Sequence, residues 1–112
     1  MNAAAISLSS LVLAVAISAC GAEQPAERPD MPTVVASTDV WGSVAQAVAG
    51  DHAKVTSIIN GAAADPHSFE ASPADAAAVI DASLVVYNGG GYDQWVDDIL
   101  TNHPDVASID AY

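Results

Sequence analysis

Basic side chains are scarce in this chain of 112 residues, which has two Lys and Arg against 14 Asp and Glu and a formal net charge of −12. Proteins bind nucleic acid by neutralising phosphates with clustered Lys and Arg, so the composition excludes nucleic acid as a partner. We interpret the acidic excess as a solvated, soluble surface in preference to a direct role in concentrating cations.

Cysteine occurs once, as Cys20, and a lone cysteine cannot form an intramolecular disulfide. Lipid attachment, a free buried thiol and a metal thiolate remain as alternatives. Residues 1–19 carry no charge and are mostly small or apolar, and the run passes into polar sequence without a stop-transfer signal. Ile17-Ser18-Ala19-Cys20 resembles the lipobox of bacterial lipoproteins. We therefore expect a cleaved signal peptide and lipid on Cys20, although no Lys or Arg precedes the apolar run, which leaves the translation start open.

Proline and charged residues dominate residues 20–32, which we interpret as a flexible tether that separates the following domain from the membrane. Residues 33–112 are long enough for one small domain or part of one, and too short for two. No internal repeat occurs at a period of about 20 to 50 residues.

Secondary-structure signals alternate along this domain. Short β-branched or apolar runs predict four strands, at Thr33–Ser37, Lys54–Ile59, Leu84–Tyr87 and Val106–Ile109. Three helices are predicted between them: one from an N-cap at Asp39 to a stop at Gly50, one from Ser72-Pro73-Ala74-Asp75 to about Asp81, and one over Tyr92–Leu100.

The order β-α-β-α-β-α-β predicts an α/β fold, with a parallel sheet between helices on both faces in a three-layer arrangement. Ligands of such sheets bind in the crevice outside the carboxyl ends of the strands. The loops after Ser37, Ile59, Tyr87 and Ile109 are therefore the candidate positions for a site.

The loop after the second predicted strand contains Asp65-Pro66-His67, followed by the aromatic Phe69 and the Ser72-Pro73 helix start. This order resembles the zinc and manganese substrate-binding lipoproteins of ABC importers. Two further segments agree in register: residues 41–59, from Trp41-Gly42 onward, and residues 82–95, with a strand, an Asn-Gly-Gly-Gly turn and an aromatic-bearing helix. The resemblance extends over about Val34 to Leu100.

The resemblance implies that residues 33–112 form part or most of the N-terminal lobe of a longer, two-lobed protein that holds a divalent metal ion between its lobes. His67 would be the first metal ligand, and the other ligands would lie beyond Tyr112. It also implies an extracytoplasmic, lipid-anchored protein that delivers zinc, favoured over manganese, to an ABC permease in the cytoplasmic membrane. A monomer without an organic cofactor is expected, and residues 33–112 alone are expected to bind little metal.

The residues themselves support His67 as a ligand, because neutral imidazole suits zinc and similar ions and Pro66 stiffens the preceding backbone. The alternative is a loop histidine that packs on Phe69 or faces solvent. Asp65 is a possible acceptor that orients the ring from outside the ligand shell, or a solvated loop acid; the second interpretation is preferred for Glu70.

Other polar or aromatic residues are assigned structural positions. His52 and His103 are predicted to be surface residues near helix ends, and Trp41 and Trp95 to be core residues. The Gly89–Gly91 turn lacks the remaining residues of a phosphate-binding motif and is expected to let the backbone approach the crevice.

No positioned nucleophile or acid–base pair is evident, so the chain is not expected to be an enzyme. The open alternatives are an exported metal-dependent hydrolase that uses His67, and an adhesin-like surface lipoprotein of the same fold.

Overall fold

The computed structural model describes residues 31–62 and 65–112. Eight elements follow one another in these two ranges: β1 Thr33–Thr38, α1 Asp39–Ala49, β2 Lys54–Ile59, the 3₁₀-helix Pro66–Ser68, α2 Pro73–Ile80, β3 Leu84–Tyr87, α3 Gln94–Asn102 and β4 Ser108–Asp110. The predicted signal peptide and Cys20 lie outside the described residues. None of the helices in the described ranges has the length and apolar character to cross a membrane.

The four strands form one parallel sheet in the order β2-β1-β3-β4. Thr33 to Thr38 pair with Lys54 to Ile59 on one side, and Val34 to Ala36 pair with Leu84 to Val86 on the other. The chain adds β2 on one side of β1 and then β3 and β4 on the other side, so the order of strand addition reverses between β1 and β3. In open parallel sheets this switch point is where the loops diverge and leave a crevice for a ligand.

The two faces of the sheet are covered by different helices. Val35, Val85 and Tyr87 point to one face and pack there with residues of α2 and α3, namely Val79, Trp95 and Val96. Alternate strand residues such as Val34 and Val86 face α1 instead. This period-two alternation gives the predicted three-layer α/β fold, which is confirmed.

The α1 face is covered less completely than the opposite face. An apolar groove of about 260 Å³ runs between α1 and the β3–β4 side of the sheet. Val44, Val48 and Ile109 line it and are 49%, 85% and 50% exposed.

Helix ends agree with the sequence signals in part. Ser72 and Asp75 form the predicted capping box at the start of α2, with Pro73 at its first position. Gly50 ends α1 with a positive φ of 54°, a conformation that glycine adopts without a steric cost. The predicted N-cap at Asp39 is wrong by one residue: Thr38 is the N-cap, and Asp39 begins the helix.

Two element starts also differ from the prediction. Helix α3 begins at Gln94, not Tyr92, because the preceding turn continues to Asp93, whose N–H donates to the carbonyl of Asn88. Strand β4 begins at Ser108, since the N–H of Val106 is bonded to the carbonyl of His103 in a turn.

Candidate metal-binding site

A cavity of about 600 Å³ opens at the carboxyl ends of the strands. The loops after β1, β2 and β3 all contribute to its walls, which are formed by Thr38, Asp39, Val40, Trp41, Ile59, Gly61, Ala62, Pro66, Asn88 and Tyr92. Three of the four loops selected from the sequence therefore meet at this crevice.

His67 lies in the middle of the 3₁₀-helix that follows β2. The carboxylate of Asp65 accepts a hydrogen bond from the backbone N–H of His67 at 3.0 Å, and the carbonyl of Asp65 accepts from the N–H of Ser68 at 3.2 Å. Pro66 stands at the first position of this turn, where its fixed φ is compatible with the helix and its missing N–H costs nothing. Asp65 therefore fixes the backbone that carries His67. The carboxylate bond goes to the main-chain N–H of His67 instead of to its imidazole.

The imidazole of His67 contacts Tyr92 from the loop after β3. The ring centroids are 4.4 Å apart and the planes are inclined by 65°, an edge-to-face arrangement that aromatic rings favour. The ring of Phe69 contacts Trp95, at a centroid distance of 5.1 Å. His67 is also exposed. Its ring therefore contacts Tyr92 while remaining open to solvent.

The first turn of α1 holds the two neighbouring loops. A carboxylate oxygen of Asp39 accepts from the N–H of Gly61 at 2.9 Å. The indole N–H of Trp41 donates to the side-chain oxygen of Asn88 at 2.6 Å. Trp95 is buried as predicted, whereas Trp41 is only partly buried and lines the cavity, so its assignment to the core is wrong.

The Gly89–Gly91 turn is used differently from the prediction. A Cβ at Gly89 would overlap the carboxylate of Asp110, and one at Gly90 would overlap the ring of Tyr112. Gly90 and Gly91 also have positive φ values of 65° and 82°. The lack of a side chain at Gly89 and Gly90 therefore lets Asp110 and Tyr112, at and after the end of β4, pack against this turn. The sequence predicts instead that the glycines let the backbone approach the crevice.

The remaining candidate residues lie on the surface. Glu70 is exposed, and His52 and His103 are exposed next to the ends of α1 and α3, as predicted. Within residues 31–62 and 65–112, no three His, Cys, Asp or Glu side chains come together in a group that could hold a metal ion.

The fold and the crevice define an α/β protein with a histidine-bearing loop at the carboxyl edge of a parallel sheet. Residues 34–112 match the family model described as zinc-uptake complex component A, periplasmic. The chain belongs to this family. The predicted resemblance is therefore confirmed.

Three relatives illustrate the range of the family. The chain is 31% identical over 102 residues to the manganese-binding lipoprotein MntA of Halalkalibacterium halodurans, covering 89% of this chain and 34% of that protein. It is 36% identical over 94 residues to the high-affinity zinc uptake system protein ZnuA of Paracoccus denitrificans, covering 84% and 28%. The crystal structure of Zn(II)-bound AdcA from Streptococcus pneumoniae aligns with a TM-score of 0.60 at 30% identity, covering 72% of this chain and 18% of that one.

The chain spans about a third of the length of the first of these curated relatives, at 34%, and 28% of the second. One of them is named for manganese and the other for zinc.

Proposed function

We propose that residues 33–112 form part or most of the N-terminal lobe of an extracytoplasmic substrate-binding protein of an ABC importer, which captures a divalent metal ion with His67 as one ligand and delivers it to a membrane permease. The observation that carries the proposal is the position of His67 in a member of the zinc-uptake family. Its loop lies at the switch-point crevice, where Asp65 fixes the backbone and Tyr92 contacts the ring.

The chemistry of this position suits metal capture. A neutral imidazole binds zinc and similar ions, and an exposed ring beside an open crevice is accessible to an ion in solution. A ligand already held in one orientation loses less conformational freedom on binding, which favours affinity.

Zinc is the proposed cargo, in preference to manganese. Imidazole is a better match for zinc, whereas manganese is suited by carboxylate, carbonyl and water ligands. The family description names zinc uptake, although a relative is named for manganese.

Titration calorimetry on the complete protein encoded by the gene tests the proposal with zinc, manganese and magnesium. We expect tight zinc binding that His67→Ala weakens by at least about a hundredfold, because a tetrahedral zinc site loses one of its few protein ligands. His52→Ala is the matched control, since it removes an exposed histidine beyond the far end of α1. Equal zinc affinity in the His67→Ala variant and the wild type would refute the assignment.

A hydrolytic activity is the competing function. Release of product from ester and peptide substrates by the zinc-loaded complete protein, abolished by His67→Ala, would favour the hydrolase over the transport protein. Zinc uptake that is lost when the gene is deleted and restored when the gene is returned to the cells would favour transport.

Membrane attachment through Cys20 completes the proposal. The supporting observation is the small-residue pattern before the single cysteine. Two or more acyl chains give stable anchoring, whereas one is marginal. Cys20→Ala should move the protein from the membrane fraction to the soluble fraction, and mass spectrometry of the wild-type N-terminus should find a lipidated cysteine. Unchanged fractionation of Cys20→Ala would exclude this anchor.

A further inference from the structure

Asp39 forms a contact between two loops of the crevice that are distant in sequence. It is the first residue of α1, and its carboxylate accepts from the backbone N–H of Gly61, 22 positions further along the chain. Both residues line the cavity, together with Pro66, the residue before His67. The contact therefore connects the start of α1 to the segment that carries the histidine.

The backbone at Gly61 is shaped for this contact. Gly61 has a φ of 86°, in the left-handed region that side chains disfavour, and among the described residues, apart from its chain neighbours, no atom lies within 4 Å of where its Cβ would be. Glycine is therefore required at this position for its conformation and not for space. A hydrogen bond from a backbone N–H to a carboxylate is charge-assisted, and such bonds are stronger than neutral ones.

Asp65 acts on the same segment from the other end. Its carboxylate fixes the N–H of His67, and the Asp39 carboxylate fixes the N–H of Gly61. Two backbone positions between β2 and α2, Gly61 and His67, are thus each bonded to a carboxylate, one from α1 and one local.

We propose that Asp39 is a positioning residue for metal binding, which holds the His67 loop at the crevice through its bond to Gly61 without itself contacting the ion. The metal part of this inference rests on the function proposed above. Without the bond, the loop would have to be ordered at the moment of binding, and that ordering would reduce the affinity.

Five variants separate this role from general effects of charge and stability. Asp39→Ala removes the acceptor, whereas Asp39→Asn removes the charge and keeps a carbonyl oxygen that can accept from Gly61. Asp51→Ala is the charge control, because Asp51 is an exposed acid beyond the opposite end of α1. Gly61→Ala strains the loop through φ alone, and Gly50→Ala is its matched control, with a φ of 54° and equally open space.

Zinc titration of the complete protein should show about three- to tenfold weaker binding for Asp39→Ala, corresponding to the loss of one hydrogen bond. Asp39→Asn should recover part of this loss, because its amide oxygen can still accept from Gly61 but carries no charge, and Asp51→Ala should bind like the wild type. Gly61→Ala should weaken binding more than Gly50→Ala does. Hydrogen exchange of the Gly61 amide should be faster in Asp39→Ala than in Asp39→Asn or Asp51→Ala.

The opposite results are equally specific. Zinc affinity that falls no further in Asp39→Ala than in Asp51→Ala, or a Gly61 exchange rate unaffected by Asp39→Ala, would overturn the positioning role while leaving the function of His67 intact. If Asp39→Ala does not fold, the comparison of Gly61→Ala with Gly50→Ala replaces it. Zinc affinity that falls no further in Gly61→Ala than in Gly50→Ala would then overturn the positioning role. If the complete wild-type protein binds neither zinc nor manganese, the proposed function fails and the metal role of Asp39 fails with it.

Discussion

At the scale of single residues, the His67 ring depends on Tyr92 for its orientation. The two rings meet edge to face at 4.4 Å, and Tyr92 is 40% exposed. An aromatic contact of this kind contributes about 0.5–1.5 kcal/mol beyond its buried area, which corresponds to about a two- to tenfold change in affinity. Tyr92→Ala should weaken zinc binding by the complete protein by about that factor, as measured by calorimetry.

Tyr92→Phe is the matched variant, because it keeps the ring and removes only the hydroxyl. It should bind zinc like the wild type. A loss in Tyr92→Phe as large as that in Tyr92→Ala would show that the hydroxyl, and not the ring contact, is what matters.

Tyr87 is the residue in the described ranges with a clearly displaced pKa. Burial at the carboxyl end of β3 raises the pKa of Tyr87 from 10.0 to about 12, assisted by a hydrogen bond to Asp97 and by the negative charges of Asp97 and Asp110. The raised pKa means that the folded state holds the phenol proton more tightly than the unfolded state. The resulting stability is therefore present below pH 10 and is lost as the pH rises from about 10 to about 12.

Urea denaturation between these pH values tests this expectation. The wild type should lose stability more steeply than Tyr87→Phe, which has no phenol proton to release. Exposed Tyr112, 95% accessible, provides the control: Tyr112→Phe should follow the wild-type curve. Parallel curves for Tyr87→Phe and the wild type would contradict the assignment.

Single-residue roles were the hardest to predict from the sequence. A local string around His67 predicts its role, whereas the sequence predicts Asp39 as a helix cap and Trp41 as a core residue. Their bonds to Gly61 and Asn88 span 22 and 47 positions. Such partners depend on the strand order, which brings the three loops together and which the local pattern does not specify.

At the scale of elements, the capping box of α2 follows the His67 loop directly. The Ser72 hydroxyl accepts from the N–H of Asp75 at 3.2 Å, and the Asp75 carboxylate accepts from the N–H of Ser72 at 2.9 Å. Removing such an N-cap costs about 0.5–2 kcal/mol. Ser72→Ala should therefore lower the free energy of unfolding in urea by about this amount.

The matched control is Ser43→Ala within α1, whose hydroxyl donates to the carbonyl of Asp39 and caps nothing. Its effect should stay below about 0.5 kcal/mol, as is usual for surface substitutions. Similar losses in both variants would show that the reciprocal bonds of Ser72 and Asp75 add no stability of their own.

Elements were predicted best where a β-branched or apolar run ends in turn residues. The bounds of β2 and β3 agree with the sequence, since Lys54–Ile59 is rich in β-branched residues, Leu84–Tyr87 is apolar, and Asn60 and Asn88 follow them. The sequence predicts the start of β4 two residues early, at Val106. Val106 favours a strand as much as Ile109 does, but its N–H is bonded in the turn after α3. Local propensity does not distinguish between these uses.

At the scale of the whole molecule, charge and site location have separate consequences for metal binding. The chain carries 14 acidic residues against two basic ones. This excess of negative charge attracts any cation weakly, with no defined arrangement of ligands. The candidate site at the crevice instead presents one exposed imidazole held by Tyr92. Structural zinc sites take about four protein ligands, and catalytic ones about three with water.

We therefore expect residues 33–112, produced alone and verified as folded by circular dichroism, to bind zinc or manganese only weakly. That association should decline with added salt, because the Debye length shortens to about 8 Å at physiological ionic strength and screens the acidic surface. It should also be indifferent to His67→Ala, whereas zinc binding by the complete protein should resist salt and require His67. Submicromolar, salt-resistant binding by residues 33–112 that disappears in His67→Ala would contradict this expectation, since it would mean that these residues already contain a complete site.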